Sequence, residues 1–135
     1  MATPPHYLLV VDDEPFVGRV IDLQFSRGPF RVSWAGDAGA GLSYLRAHPE
    51  VELVLLDIQL PGVSGLDMLA EARQDPSFAS VRFVMLTATG QKSHFDRARA
   101  LGAAGFVTKP FSPNKLYRQI CELVGEPVGD AEDEE

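Results

Sequence analysis

The run Val51-Glu52-Leu53-Val54-Leu55-Leu56, closed by Asp57 and followed by a loop with Pro61, Gly62 and Gly65, constrains this chain more than any other segment. An apolar stretch with a single charge and no alternation suits a strand buried on both faces of a parallel sheet. Open α/β sheets place their chemistry just beyond the carboxyl ends of such strands. A second run, Tyr7-Leu8-Leu9-Val10-Val11, ends in the pair Asp12-Asp13. Two neighbouring strand ends would therefore gather three carboxylates, and their mutual repulsion calls for a cation.

The rest of the chain alternates in the same way. Strands are expected at Tyr7–Val11, Phe30–Ala35, Val51–Leu56, Val81–Leu86 and Gly105–Thr108, with helices over 14–27, 37–48, 64–74, 91–101 and 112–124. Phe16, Val17, Val20, Ile21 and Phe25 keep helical spacing in the first helix, and Leu116, Ile120, Leu123 and Val124 do so in the last. Asp37 is a candidate N-cap, and Ser112-Pro113 reads as a cap followed by proline at the first helical position. Five strand–helix repeats imply an α/β fold, a parallel sheet covered by helices on both faces. The order 2-1-3-4-5 is taken from the flavodoxin-like class, whose switch point between strands 1 and 3 is where Asp12, Asp13 and Asp57 fall. One domain over 7–124 is expected, after an N-terminal extension (1–6) and before an acidic flexible tail (125–135).

Charge is distributed unevenly. The net charge is −7, but Glu126, Asp130, Glu132, Asp133, Glu134 and Glu135 all lie in the tail, so the first 124 residues are almost neutral. Lys92, Arg97, Arg99, Lys109, Lys115 and Arg118 face only Asp96 between residues 90 and 121. No dense basic stripe interleaved with aromatics occurs, so direct DNA binding is not expected. No apolar stretch approaches the roughly 18 residues of a membrane span, the first residues lack the make-up of a signal peptide, and a cytoplasmic location is the default. The lone Cys121 excludes an intrachain disulfide and reads as a buried apolar residue.

Asp12-Asp13-Glu14-Pro15, Asp57 with Pro61 and Gly65, Thr87-Ala88, and Lys109-Pro110-Phe111, each at its own strand end, resemble the bacterial response-regulator receiver domain of the stand-alone, chemotaxis type. The resemblance covers about residues 7–124. It implies that Asp57 is the phosphoacceptor and that Mg2+ (with Mn2+ as a substitute) is held by Asp12, Asp13, Asp57 and the backbone carbonyl of Gln59. It also implies that Lys109 pairs with Asp57 or with a phosphoryl oxygen and precedes a cis proline. Thr87 would be the switch hydroxyl and Phe106 the switch aromatic, here without a tyrosine hydroxyl. Gln59 and Thr89 would modulate dephosphorylation. The implied phosphodonor is a sensor histidine kinase or a histidine phosphotransfer protein. No output domain is expected after residue 124, so output would pass either along a phosphorelay or to a downstream protein on the helix 4–strand 5–helix 5 face, with Lys92, Phe95, Arg99, Phe106, Lys115 and Arg118.

Taken singly, these residues have plainer readings. Asp12-Asp13 and Asp57 could be turn residues, and Lys109 a solvated surface lysine. His6, His48 and His94 read as surface residues, Met68 and Met85 as core filler, and Trp34 as closing the second strand against a helix. A phosphatase of the haloacid-dehalogenase type also uses a strand-end aspartate with Mg2+. It needs an acid two residues later, where this chain has Gln59. A flavin module is disfavoured because Asp12-Asp13-Glu14 would repel the cofactor phosphate. The joint arrangement of four strand ends favours the receiver.

Overall fold

The computed structural model describes residues 6–88 and 92–127. Five strands alternate with five α-helices: β1 (His6–Val11), α1 (Pro15–Phe25), β2 (Phe30–Ala35), α2 (Ala38–Ala47), β3 (Leu53–Asp57), α3 (Gly65–Arg73), β4 (Arg82–Thr87), α4 (Lys92–Ala100), β5 (Gly105–Thr108) and α5 (Pro113–Val124). All strands pair in parallel in the order β2-β1-β3-β4-β5, as expected. Val51 and Val81, expected to open strands, instead lie just before β3 and β4, although both side chains are buried. The short 3-10 turn Pro76–Phe78, capped by the Asp75 side chain, has no counterpart in the sequence expectation.

The pleat explains the layering. Successive β-strand side chains point to opposite faces, so Leu9, Val11, Val54, Leu56, Phe83 and Met85 meet α2, α3 and α4. Leu8, Val10, Leu53, Leu55, Val84 and Leu86 meet α1 and α5 on the other side. Both faces of β1, β3 and β4 are thus covered, which is why their sequences run apolar without alternation. Met68, Met85 and Cys121 are fully buried. The helices begin as their caps dictate: Asp37 accepts from the Ala40 N–H, Ser64 from Asp67 and Ser112 from Lys115. Gly125, with φ of 79°, closes α5 in the left-handed conformation while the Glu126 N–H returns to the Cys121 carbonyl.

Arg73 holds one side of the molecule together through groups that have no residue identity. Its guanidinium donates to the carbonyls of Leu101 (3.0 Å), Val81 (3.2 Å), Phe78 (3.3 Å) and Gly102 (3.3 Å), and lies over the Phe83 ring. Burial pushes its pKa down. Arg73→Met keeps the stem and strips the donors from four acceptors. A loss of about 2–3 kcal/mol is expected in urea unfolding, since stranded buried acceptors cost more than a net hydrogen bond returns. An unchanged midpoint would show that water satisfies those carbonyls equally well.

His6 departs from the surface reading. Its side chain is 13% exposed and bridges two acids: Nδ1 lies 3.0 Å from Glu52, and Nε2 lies 2.8 Å from Glu126. Burial alone would lower its pKa, but the two carboxylates outweigh it and the pKa is raised. The imidazole thus links the start of β1, the entry to β3 and the chain just past α5. Glu126, assigned from sequence to the tail, is held to the domain, and residues 128–135 lie outside the described residues.

Candidate functional site

Parallel strands deliver their carboxyl ends to one edge, and the chemistry collects there. Asp12 follows β1, Asp57 closes β3, Thr87 closes β4 and Lys109 follows β5. Asp12 is completely buried, Asp57 is 5% exposed and Thr87 3%. Asp13 is exposed at the rim. One carboxylate oxygen from each of Asp12, Asp13 and Asp57 falls within 4.8 Å of the others.

Each buried carboxylate spends one oxygen on its own turn. The Glu14 N–H donates to Asp12 Oδ1 at 2.9 Å, and the Gln59 N–H donates to Asp57 Oδ1 at 3.1 Å. Such local side chain–backbone bonds fix the rotamer. The second oxygens face the Lys109 ammonium, which lies 2.7 Å from Asp12 Oδ2 and 3.2 Å from Asp57 Oδ2, with Glu14 Oε1 at 3.6 Å. The sequence expectation paired Lys109 with Asp57, and the structure brings it nearer to Asp12. The contact to Asp57 is an aligned hydrogen bond. The closer one to Asp12 is an ion pair out of alignment, so buried Asp12 Oδ2 accepts no hydrogen bond. Burial would lower the Lys109 pKa, but Asp12 and Asp57 raise it, so the ammonium stays charged. Burial first, and then Asp12, push the Asp57 carboxyl above its ordinary value despite Lys109.

A divalent cation fits this arrangement. Hard oxygen donors are what Mg2+ takes, and three carboxylates gathered within 4.8 Å around one ammonium are an arrangement that a bound cation would satisfy. One ammonium among Asp12, Asp13, Glu14 and Asp57 leaves the pocket with excess negative charge.

The loops around the pocket are tied to the sheet. The Ile58 N–H bonds the Leu86 carbonyl, the Lys109 N–H bonds the Thr87 carbonyl at 2.7 Å, and the Gly65 N–H bonds the Ile58 carbonyl at 2.8 Å. The Lys109-Pro110 peptide is cis. Gln59 is exposed in the loop after β3, whereas Thr89 lies outside the described residues.

The expected partner face is only partly basic in practice. Phe95 and Phe106 meet edge-to-face at 4.9 Å, with the Arg99 guanidinium 5.2 Å from the Phe106 ring. Lys92 and Arg99 both pair with Asp96, and Arg97 pairs with Asp67 at 2.9 Å. Lys115 is exposed and Arg118 half-buried. Exposed pairs of this kind are worth little, but they remove charge from the surface that a partner would meet.

The sequence reading put Trp34 against a helix, and it does pack on Gly18 of α1. Its indole N–H also donates to the Asp12 carbonyl at 2.8 Å, which no spacing marks. The glycines at 18 and 36, on either side of the tryptophan, are the one available signal.

A family profile described as the response regulator receiver domain matches residues 8–121. Response regulator Rre1 of Synechocystis sp. is 36% identical over 121 residues, 89% of this chain and 52% of that protein. The chain spans about half the length of the curated relatives it matches. Among solved structures, chemotaxis protein CheY4 of Vibrio cholerae superposes with a TM-score of 0.81 at 20% identity, covering 87% of this chain and 97% of that one. A CheX–CheY–BeF3–Mg2+ complex from Borrelia burgdorferi gives 0.82 at 24%, covering 89% and 90%. The fold is that of a receiver and not of a phosphatase. No helix among the described residues is long and apolar enough to cross a membrane.

Proposed function

This chain belongs to the response regulator receiver domain family, and from that premise we propose that Asp57 accepts a phosphoryl group from a phosphohistidine on a sensor kinase or phosphotransfer protein. The observation that carries this reading is the convergence of Asp12, Asp13 and Asp57, with Lys109 brought in from a separate strand. A carboxylate oxygen of Asp57 forms the new O–P bond as the P–N bond to the donor histidine breaks. The bonding pair leaves with the imidazole nitrogen, and an aspartyl phosphate remains.

Asp12, Asp13 and Asp57, with the Gln59 carbonyl, would hold Mg2+, which when bound neutralises the oxygens of the transferring group. The Gln59 N–H keeps the nucleophile in one rotamer. Lys109 supplies a compact cation that can move from Asp12 and Asp57 to a new phosphoryl oxygen. Thr87, almost fully buried at the end of β4, would be the hydroxyl that senses that oxygen. Phe106, packed on Phe95, would respond by repacking and re-form the α4–β5–α5 face for a downstream protein. Gln59 and Thr89 would tune the return of the phosphoryl group to water.

The direct test is labelling of the wild-type protein by acetyl phosphate, followed by mass spectrometry. One phosphoryl adduct, mapped to Asp57 and lost when magnesium is chelated, is expected. An adduct on another residue, or one indifferent to chelator, would refute the assignment.

A further inference from the structure

We propose that Trp34 is a positioning residue for the carboxylate pair Asp12–Asp13, and that the hydrogen bond from its indole to the Asp12 carbonyl sets how tightly the pocket holds a divalent cation. The inference rests on the metal reading above and extends it to a residue on the outermost strand.

The two peptides that flank Asp12 decide where both carboxylates point, and β2 holds one through its N–H and the other through its carbonyl. The Asp12 N–H donates to the Ala35 carbonyl at 3.1 Å, and the Asp12 carbonyl accepts from Trp34 Nε1 at 2.8 Å. With Glu14 N–H on Oδ1, three of the four polar atoms of Asp12 are engaged, which leaves Oδ2 for the pocket. Asp13 has an exposed side chain at the rim. The orientation of the peptide before it is the constraint on its position that the described hydrogen bonds provide.

The surroundings of Trp34 are shaped to keep the ring there. Although the residue is 43% exposed, a Cβ at Gly18 would stand 2.7 Å from its Cδ1, and a Cβ at Gly36 would stand 3.2 Å from its Cη2. Gly18 lies inside α1, where glycine is less favourable than alanine. Its presence is explained by the ring that lies against it. An exposed tryptophan seated between two glycines, with its one polar atom on the backbone of a candidate metal ligand, is placed to align that ligand.

Trp34 is the only tryptophan in the chain, so biosynthetic replacement of tryptophan by benzothienylalanine changes one position. Sulfur takes the place of the N–H while the bicyclic shape is kept. Mg2+ affinity would be measured by calorimetry on the wild type, the benzothienyl protein and Trp34→Phe, with urea unfolding of each as a control for folding. Both altered proteins should bind Mg2+ about 3- to 10-fold more weakly, the ratio that one net hydrogen bond produces. The benzothienyl protein should still unfold cooperatively, with a midpoint only slightly below wild type, as the loss of one hydrogen bond requires. Equal affinity in all three overturns the proposal and leaves the metal reading intact. Weakening in Trp34→Phe alone would assign the effect to packing and also overturn it. A wild type that binds no Mg2+ overturns the metal reading and the proposal together.

Discussion

Asp57→Asn is expected to abolish phosphoryl labelling and, in the same protein, to raise the resistance to unfolding. The first effect follows from chemistry, because a carboxamide oxygen lacks the negative charge that makes the carboxylate a nucleophile. The second follows from the pocket. Burial and the neighbouring Asp12 raise the Asp57 pKa, so the folded state binds its proton more tightly than the unfolded chain does. By linkage, stability falls as pH climbs from the unfolded value through the folded one, and the deficit is complete above the folded value. Asparagine keeps the shape and can still accept the Gln59 N–H, while Lys109 retains Asp12 at 2.7 Å. A gain of about 1–2 kcal/mol at pH 7 is expected in urea unfolding, a size common where a functional site is relieved of strain. The gap should narrow in acid as wild-type Asp57 protonates. Added Mg2+ should stabilise the wild type more than the variant, because it binds the folded state of one more tightly than that of the other. A variant less stable than wild type at pH 7 would mean that Lys109 already compensates the charge in full.

Gly65→Ala should be among the most damaging single methyl groups in this domain. A Cβ there would stand 2.0 Å from the Asp57 carbonyl oxygen, 2.9 Å from its carbon and 3.0 Å from the Ile58 Cα. All three are backbone atoms, so no side chain can rotate away. Either α3 lifts from the sheet edge or the exit of β3 shifts and carries Asp57 with it. The expected cost is about 3 kcal/mol or more, with slowed labelling in whatever remains folded. Gly39→Ala is the internal contrast. Its added methyl would meet only the Asp37 carboxylate at 3.5 Å, at an exposed position of α2, so the sign should reverse, with a gain of roughly 0.5–1 kcal/mol. Similar urea midpoints for the two variants would refute the steric account.

Three of the candidate site residues were legible because each stands at the carboxyl end of a buried strand, and buried strands announce themselves by unbroken apolar runs. Asp12, Asp57 and Thr87 fall at the expected edge for that reason, whereas Lys109 follows the half-buried β5 and was marked by the run Lys109-Pro110-Phe111. The strand order was supplied by the fold class, since pairing between distant runs leaves no periodic trace. Arg73 stayed invisible because its partners are carbonyls, which every residue has. His6 stayed invisible because its acids come from 46 and 120 residues away. The bond from Trp34 to Asp12 is of the same kind, a side chain meeting backbone across the sheet. The bias of Lys109 towards Asp12 depends on distances of a few ångströms that no spacing in the chain encodes.

The imidazole bridge between β1 and the residue after α5 has a geometric consequence for anything joined to this domain. β1 is six residues long, so His6 and Glu126 sit roughly 20 Å from the aspartates by strand rise alone. A polypeptide continuing beyond residue 126 would leave from the pole remote from the pocket. Its first residues could not touch the aspartates, since about seven extended residues are needed to cross that distance. A change at the pocket would reach a shorter segment only through shifts of whole helices, or through a binding partner that spans the length of the sheet.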